Sequence, residues 1–281
     1  MKDLVKRLLA LVGLRLTRNW ELERLHRPQD PLKRARRILG PELTRRVPWK
    51  HEDVSLQHLK DSSYYRLWSQ FGGGHKKYSY FRLYDRLFSD YVGRRPKVLE
   101  IGVYKGASIR TWRGFFGEGS RVVGIDVNPD CAQYEDVEQD IHVRIGSQAD
   151  TGFLQSVNEE LGPFDIILDD GSHLTHHVIA TFNHAFLHCL AEGGIYFIED
   201  LNTSYWTKYR TSKYSAMDMV LSLCEMTHQF YFDHAYENYS RENQREFSSP
   251  AVCTWIDEVR VFDSAAAIYK NRCQPPLVFH T

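Results

Sequence analysis

Apolar positions along the chain change their rhythm near residue 96. Before it, hydrophobic residues recur at helical spacing over 54–70 and 77–92, with Gly72-Gly73-Gly74 between the two stretches. After it, short apolar runs alternate with helical stretches. Lys97–Ile101 reads as a buried strand and Ser108–Phe116 as the helix that follows; Arg121–Ile125 and Ile141–Ile145 are the next two strands. A helix over Thr151–Leu161, N-capped by Thr151, leads to a strand at Phe164–Leu168, and a helix over Thr175–Leu190 leads to a fifth at Gly194–Ile198. Parallel neighbours need a crossover between them, so this alternation predicts a parallel sheet with helices on both faces.

The end of the chain departs from that alternation. A long helix over Lys213–Asp233 and a polar loop over Glu237–Ser249 precede two strand-like runs, Val259–Phe262 and Ala266–Tyr269. Asp263-Ser264-Ala265 is too short for a crossover helix, so these two runs should pair as an antiparallel hairpin. The expected fold class is α/β and Rossmann-like: a seven-stranded, mostly parallel sheet with a C-terminal antiparallel hairpin and an N-terminal helical extension. The expected organisation is a basic helical arm over 1–53 and one domain over 54–281, with its first helices over 54–95 and the Rossmann-like core over 96–281.

Composition adds little to this until it is divided along the chain. With 281 residues, 42% hydrophobic and 26% charged, the chain suits one large soluble domain with extensions. Its net charge is zero, yet residues 1–50 hold 14 Lys/Arg and 5 Asp/Glu, leaving 22 basic and 31 acidic residues for the rest. Such an arm suits a neighbouring subunit in a homo-oligomer, the favoured reading, or weak contact with an anionic membrane surface; no nucleic-acid partner is indicated. The cysteines, Cys131, Cys189, Cys224, Cys253 and Cys273, are odd in number and lack a CxxC spacing, which argues against a disulfide framework or a thiolate zinc site. Cys189 sits in an apolar helical pattern and belongs in the core, and a reducing cytoplasm is the expected location. Met1–Leu16 makes a poor signal peptide because Arg15 interrupts its apolar run and no small-residue cleavage site follows. Leu4, Leu8, Leu11 and Val12 do share one helical face, as in an interfacial helix.

Candidate chemistry collects at the carboxyl ends of the predicted strands, where open α/β sheets bind ligands. Val98–Gly106 joins the first strand to its helix, and its glycines would let the backbone approach a ligand. It is neither a GxGxxG fingerprint nor a P-loop. Asp126 ends the second strand 20 residues after Gly106, placed to accept hydrogen bonds from ribose hydroxyls. Ser147 and Gln148 follow the third strand, where an adenine ring would lie. Asp169-Asp170-Gly171-Ser172-His173 follows the fourth strand and Glu199-Asp200 the fifth. Carboxylates converging in one cleft repel unless a cation sits among them, and oxygen ligands suit Mg²⁺ or Mn²⁺ better than zinc. Asp169 could instead cap a helix or touch a cofactor, while His176 and His177 read as helix-surface or packing residues. Asn202–Ser212, with Tyr205, Trp206 and Tyr209, offers aromatic faces directly after the acids.

From about Tyr64 to Trp206 the chain resembles the metal-dependent deoxysugar O-methyltransferases of macrolide biosynthesis, whose class I fold also ends in an antiparallel hairpin. The residues that carry the resemblance are Val98–Ser108, Gly124–Asp126, Gly146–Gln148, Leu168–His173 and Ile198–Trp206. The resemblance implies S-adenosyl-L-methionine as cofactor, contacted by residues among Glu100, Gly102, Gly106, Ser108, Asp126, Ser147, Gln148, Asp169 and Asp170. It further implies Mg²⁺ (or Mn²⁺) held by Asp170, Glu199 and Asp200, with His173 as general base. The acceptor would be a sugar hydroxyl of a glycosylated natural product or glycan, bound with help from Tyr205 and Trp206. Two other readings stay open: a metal-independent methyltransferase for a lipid or phenol, and an oxygenase-type or non-catalytic protein on the same fold.

Overall fold

The computed structural model describes residues 31–48, 56–72, 74–231 and 250–274. The apolar face expected at Leu4–Val12 and the polar loop Glu237–Ser249 lie outside them. The strands are β1 (Lys97–Ile101), β2 (Arg121–Asp126), β3 (Ile141–Ile145), β4 (Phe164–Asp169), β5 (Leu190–Ile198), β6 (Ile256–Phe262) and β7 (Ala265–Lys270). They form one sheet in the order β3-β2-β1-β4-β5-β7-β6. The first five pair in parallel. β7 runs antiparallel to both β5 and β6, as the short link predicts, and Ser264 in that link takes the left-handed conformation with φ 65°.

The helices among the described residues are α1 (Pro31–Leu43, interrupted at Gly40), α2 (Ser63–Phe71), α3 (Tyr78–Phe88), α4 (Ala107–Phe116), α5 (Thr151–Leu161), α6 (Thr175–His188) and α7 (Ala216–Met226). None is long and apolar enough to cross a membrane. α5, α6 and α7 cover one face of the sheet, packing Leu154, Phe182, Phe186 and Val220 against Leu99, Ile167 and Tyr196. α2, α3 and α4 cover the other with an aromatic layer of Tyr64, Tyr84, Phe88 and Trp112 against Val98, Ile166 and Phe197. Side chains alternate across a strand with period two. That alternation sends Glu100 and Glu199 to the aromatic face and Asp169 to the other.

Several boundaries differ from the sequence expectation for local reasons. The cap of α5 is Asp150, whose side chain accepts from Phe153 N, not Thr151. The long C-terminal helix shortens to α7, which starts at a reciprocal capping box between Ser215 and Asp218. The 54–70 helix divides into a 3₁₀ turn over Leu56–Asp61 and α2, whose N-cap Ser62 accepts from Tyr65 N. β6 starts three residues earlier than its apolar run because it is an edge strand with most side chains outside the core. All five cysteines are unpaired, and Cys189 is fully buried.

Candidate active site

The sheet reverses its order of connection between β1 and β4, and a cleft of about 730 Å³ opens at the carboxyl ends of the strands there. This is the topological switch point at which doubly wound sheets bind ligands. Gly102, Asp126, Ser147, Gln148, Asp170 and His173 all line the cleft, and Asp200 joins them.

In one half of the cleft, backbone geometry dominates. Gly102 adopts φ 100°, and a Cβ there would collide with the Asp170 carbonyl, so glycine lets the loop after β1 pass the loop after β4. Asp126 accepts from Val103 N (2.9 Å) and Tyr104 N (3.0 Å) through Oδ2, and from Asn128 N (2.9 Å) through Oδ1. Burial opposes its charge, but these backbone donors outweigh burial and hold its pKa below the ordinary value. A carboxylate has about four acceptor sites, which leaves room for a further donor. Gln148 is a strut: it accepts from Ser172 N (2.8 Å) and donates to Asp169 Oδ1 and Thr181 Oγ1 (3.1 Å each), tying the loop after β3 to the loop after β4. Ser147 Oγ accepts from Ala149 N (3.2 Å).

Four of the expected cofactor contacts do not line the cleft. Glu100 is fully buried on the aromatic face, and burial pushes its pKa up to about 7. Asp169 is buried on the opposite face beside Gln148 and Tyr196, where burial raises its pKa to about 6. Ser108 Oγ lies 3.2 Å from Tyr64 Oη, and Gly106 precedes α4 with φ 70°, facing the Tyr134 ring. The period-two alternation turns Glu100 and Asp169 inward, while the cleft belongs to the residues just past the strand tips.

The other half of the cleft is electrostatic. Asp170, His173 and Asp200 can each present one ligand atom, with all three atoms within 4.8 Å of one another. His173 Nε2 lies 3.9 Å from Asp170 Oδ1 and 3.7 Å from Asp200 Oδ2. The remaining oxygens belong to two lysines. Lys76 Nζ donates to Asp170 Oδ2 (2.5 Å) and Glu199 Oε2 (2.9 Å), and Lys77 Nζ to Asp200 Oδ1 (2.6 Å). Two tyrosines of α3 complete the pattern: Tyr84 Oη donates to Glu199 Oε1 (2.5 Å) and Tyr80 Oη to Asp200 Oδ1 (2.9 Å). Glu199 therefore stands outside the Asp170–His173–Asp200 group, turned under it; burial, reinforced by Asp170, raises its pKa to about 8. Burial works against the Lys76 ammonium, yet Asp170 and Glu199 hold its pKa well above the ordinary lysine value. Asp200 is the reverse case: burial disfavours its charge, but hydrogen bonds from Lys77 and Tyr80 keep its pKa low.

Tyr104, His173 and Asp200, all at this cleft, have left-handed φ values of 51°, 56° and 55°. Such conformations cost about 1–3 kcal/mol each and concentrate at functional sites. Lys76, Lys77, Tyr80 and Tyr84 escaped the sequence reading. Their signal was a lysine pair directly ahead of a helix, followed by tyrosines one turn apart on a single face. Of the aromatic residues after Asp200, Tyr205 and Trp206 are about half exposed and do not line the cleft. The Tyr209 ring comes nearest to the catalytic candidates, 6.1 Å from the His173 ring and 6.0 Å from Trp206.

Comparison with known proteins finds methyltransferases with this fold. Residues 99–201 match a family described as a methyltransferase domain. The chain is 42% identical over 130 residues to demethylmacrocin O-methyltransferase of Streptomyces fradiae, covering 44% of this chain and 32% of that protein. It is likewise 42% identical over 130 residues to mycinamicin VI 2''-O-methyltransferase of Micromonospora griseorubida, covering 44% and 31%. A 3'-O-methyltransferase of Streptomyces olivaceus acting on 8-demethyl-8-(2-methoxy-alpha-L-rhamnosyl)-tetracenomycin-C is 33% identical over 205 residues, covering 68% of this chain and 48% of that protein. The chain thus spans a third to a half of the length of these relatives. Among solved structures, the MycE methyltransferase of the mycinamycin biosynthetic pathway, in complex with Mg, SAH and mycinamycin VI, aligns with a TM-score of 0.63 at 28% identity over 74% of this chain and 53% of that one.

Proposed function

We propose that this chain, which belongs to the class I methyltransferases and is related to sugar O-methyltransferases of natural-product pathways, transfers a methyl group from S-adenosylmethionine to a sugar hydroxyl with the help of a divalent metal ion. The observation that carries this reading is the meeting of Asp170, His173 and Asp200 in the same cleft as Gly102 and Asp126. Two carboxylate oxygens open to the cleft fit a hard divalent ion that keeps several waters, with the His173 imidazole beside them left free to act as a base. Asp170 and Asp200 would hold it, joined by Glu199 if Lys76 releases that carboxylate.

When bound, the cofactor supplies an electrophilic sulfonium methyl and the ion supplies Lewis acidity toward the acceptor hydroxyl. Each residue of the chain then has a task. Asp126 receives the ribose hydroxyls, and the Gly102 turn lets the cofactor lie against the backbone. His173 takes the hydroxyl proton at Nε2 as general base. Asp170 and Asp200 flank that nitrogen from the tips of adjacent strands. Because a methyl cation equivalent needs alignment more than activation, fixing donor and acceptor in line is the larger part of the catalysis. The acceptor is a glycosylated small molecule or a glycan, whose sugar ring can lie on the aromatic faces of Tyr209, Trp206 and Tyr205.

The test is incubation with S-adenosylmethionine, Mg²⁺ and deoxysugar-bearing polyketides, followed by mass spectrometry for one added methyl group. Methylation that EDTA abolishes and Mg²⁺ restores is the expected result; failure of calorimetry to detect S-adenosylhomocysteine binding would overturn the reading. One observation favours a second reading. Lys76 and Lys77 already place two ammonium groups among the acids, as a metal-independent methyltransferase would require. Turnover insensitive to EDTA would select it.

A further inference from the structure

Lys76 occupies the space among the acids that a bound ion would share. The Lys76 side chain is only 4% exposed, and its Nζ is 2.5 Å from Asp170 Oδ2, 2.9 Å from Glu199 Oε2 and 3.9 Å from Glu100 Oε1. Three carboxyl groups crowd together at this depth, and Lys76 supplies a cation among them from within the chain. Glu199 Oε1 already takes the Tyr84 hydroxyl, so Oε2, the oxygen Lys76 holds, is the one a divalent ion would need in order to be held by Glu199 together with Asp170. An ammonium and a divalent ion cannot both occupy the space between them, since each sits within about 3 Å of its oxygen partners.

We propose that Lys76 is a built-in competitor of the divalent ion, so that the chelate between Asp170 and Glu199 becomes available only when the Lys76 ammonium withdraws. This inference rests on the metal-assisted reading above and adds to it a residue that sets metal affinity. Lys76 lies on the loop between α2 and α3 rather than on the sheet, and its ammonium is carried on a flexible four-carbon stem. Tethering makes the competition strong, because a group held in the same chain acts at an effective concentration of about millimolar or more. Asp200 differs: Lys77 engages only its Oδ1, and Oδ2 stays turned toward His173. The site therefore has a permanently presented half, Asp170 Oδ1 and Asp200 Oδ2, and a half that Lys76 guards.

The deciding measurement is Mn²⁺ binding to the full chain, by electron paramagnetic resonance and calorimetry, for wild type, Lys76→Gln and Lys76→Met, each verified as folded by circular dichroism. The glutamine keeps hydrogen-bond donors for the acids while losing the charge; the methionine removes both, so the two variants guard against a folding failure in one. Removing the ammonium should tighten Mn²⁺ binding at least tenfold, enlarge the rise in Tm that Mn²⁺ produces, and leave binding abolished when Asp170→Asn is added. If wild type binds Mn²⁺ and the variants bind it equally or more weakly, Lys76 supports the site instead of competing, and the inference fails while the metal-assisted reading stands. If none of the three binds Mn²⁺, both fail.

Discussion

Asp170 and Asp200 divide their oxygens in the same way: each gives one to a lysine and turns the other toward His173 Nε2, at 3.9 and 3.7 Å. The imidazole is thus bracketed by two negative oxygens from the tips of adjacent strands. A base placed this way faces the reacting hydroxyl rather than the cofactor, and removing it should cost turnover rather than binding. His173→Ala is expected to lower the single-turnover rate about 10²–10⁴-fold while S-adenosylhomocysteine affinity stays near wild type. A variant that retained most of its rate would remove His173 from the mechanism.

Asp126 ties the loop after β1 to the end of β2 through backbone donors. Asp126→Ala removes both that tie and the acceptor for ribose hydroxyls. Calorimetry should show S-adenosylhomocysteine binding at least about tenfold weaker, since hydrogen bonds to charged groups are worth about 1.5–3 kcal/mol. Unchanged affinity would mean that the ribose lies elsewhere.

Asp169 predicts a pH dependence of stability. Burial raises its pKa to about 6, so the folded protein binds its proton more tightly than the unfolded chain does. The stability linked to that proton is fully present below the ordinary aspartate pKa and is lost as pH rises through about 6. Asp169→Asn cannot ionise and should flatten this part of the profile. Chemical denaturation across that range checks it: parallel profiles for variant and wild type would show that Asp169 contributes none of the slope.

The aromatic residues after Asp200 should affect acceptor and cofactor differently. Tyr209→Ala and Trp206→Ala are expected to raise the acceptor KM several-fold and leave the cofactor KM unchanged. Equal effects on both would assign these rings to packing instead of sugar binding.

Trp112 is fully buried and packs at 4.2 Å from the Tyr64 ring centroid and 4.9 Å from that of Tyr84. It holds α2 and α3 against the sheet, and Tyr84 in turn reaches Glu199. Trp112→Ala should cost about 3–5 kcal/mol in urea unfolding. A loss under about 1 kcal/mol would mean that the aromatic layer collapses around the gap.

Much of this protein is legible in one dimension. The parallel sheet, its order of helices and the closing hairpin follow from runs such as Lys97–Ile101 and from the short Asp263–Ala265 link, because periodicity and loop length are local properties of a chain. Sequence also brings Gly102, Asp126, Asp170 and Asp200 to one edge, since every parallel strand ends on the same side. What only the tertiary structure decided is which acids turn into the cleft and what neutralises them. Strand parity buries Glu100, Asp169 and Glu199, while the left-handed turns at His173 and Asp200 lie at the cleft itself. Lys76 meets Asp170 across 94 residues of chain and Lys77 meets Asp200 across 123. Such pairings depend on how α3 packs across the sheet edge, and no spacing along the sequence records it.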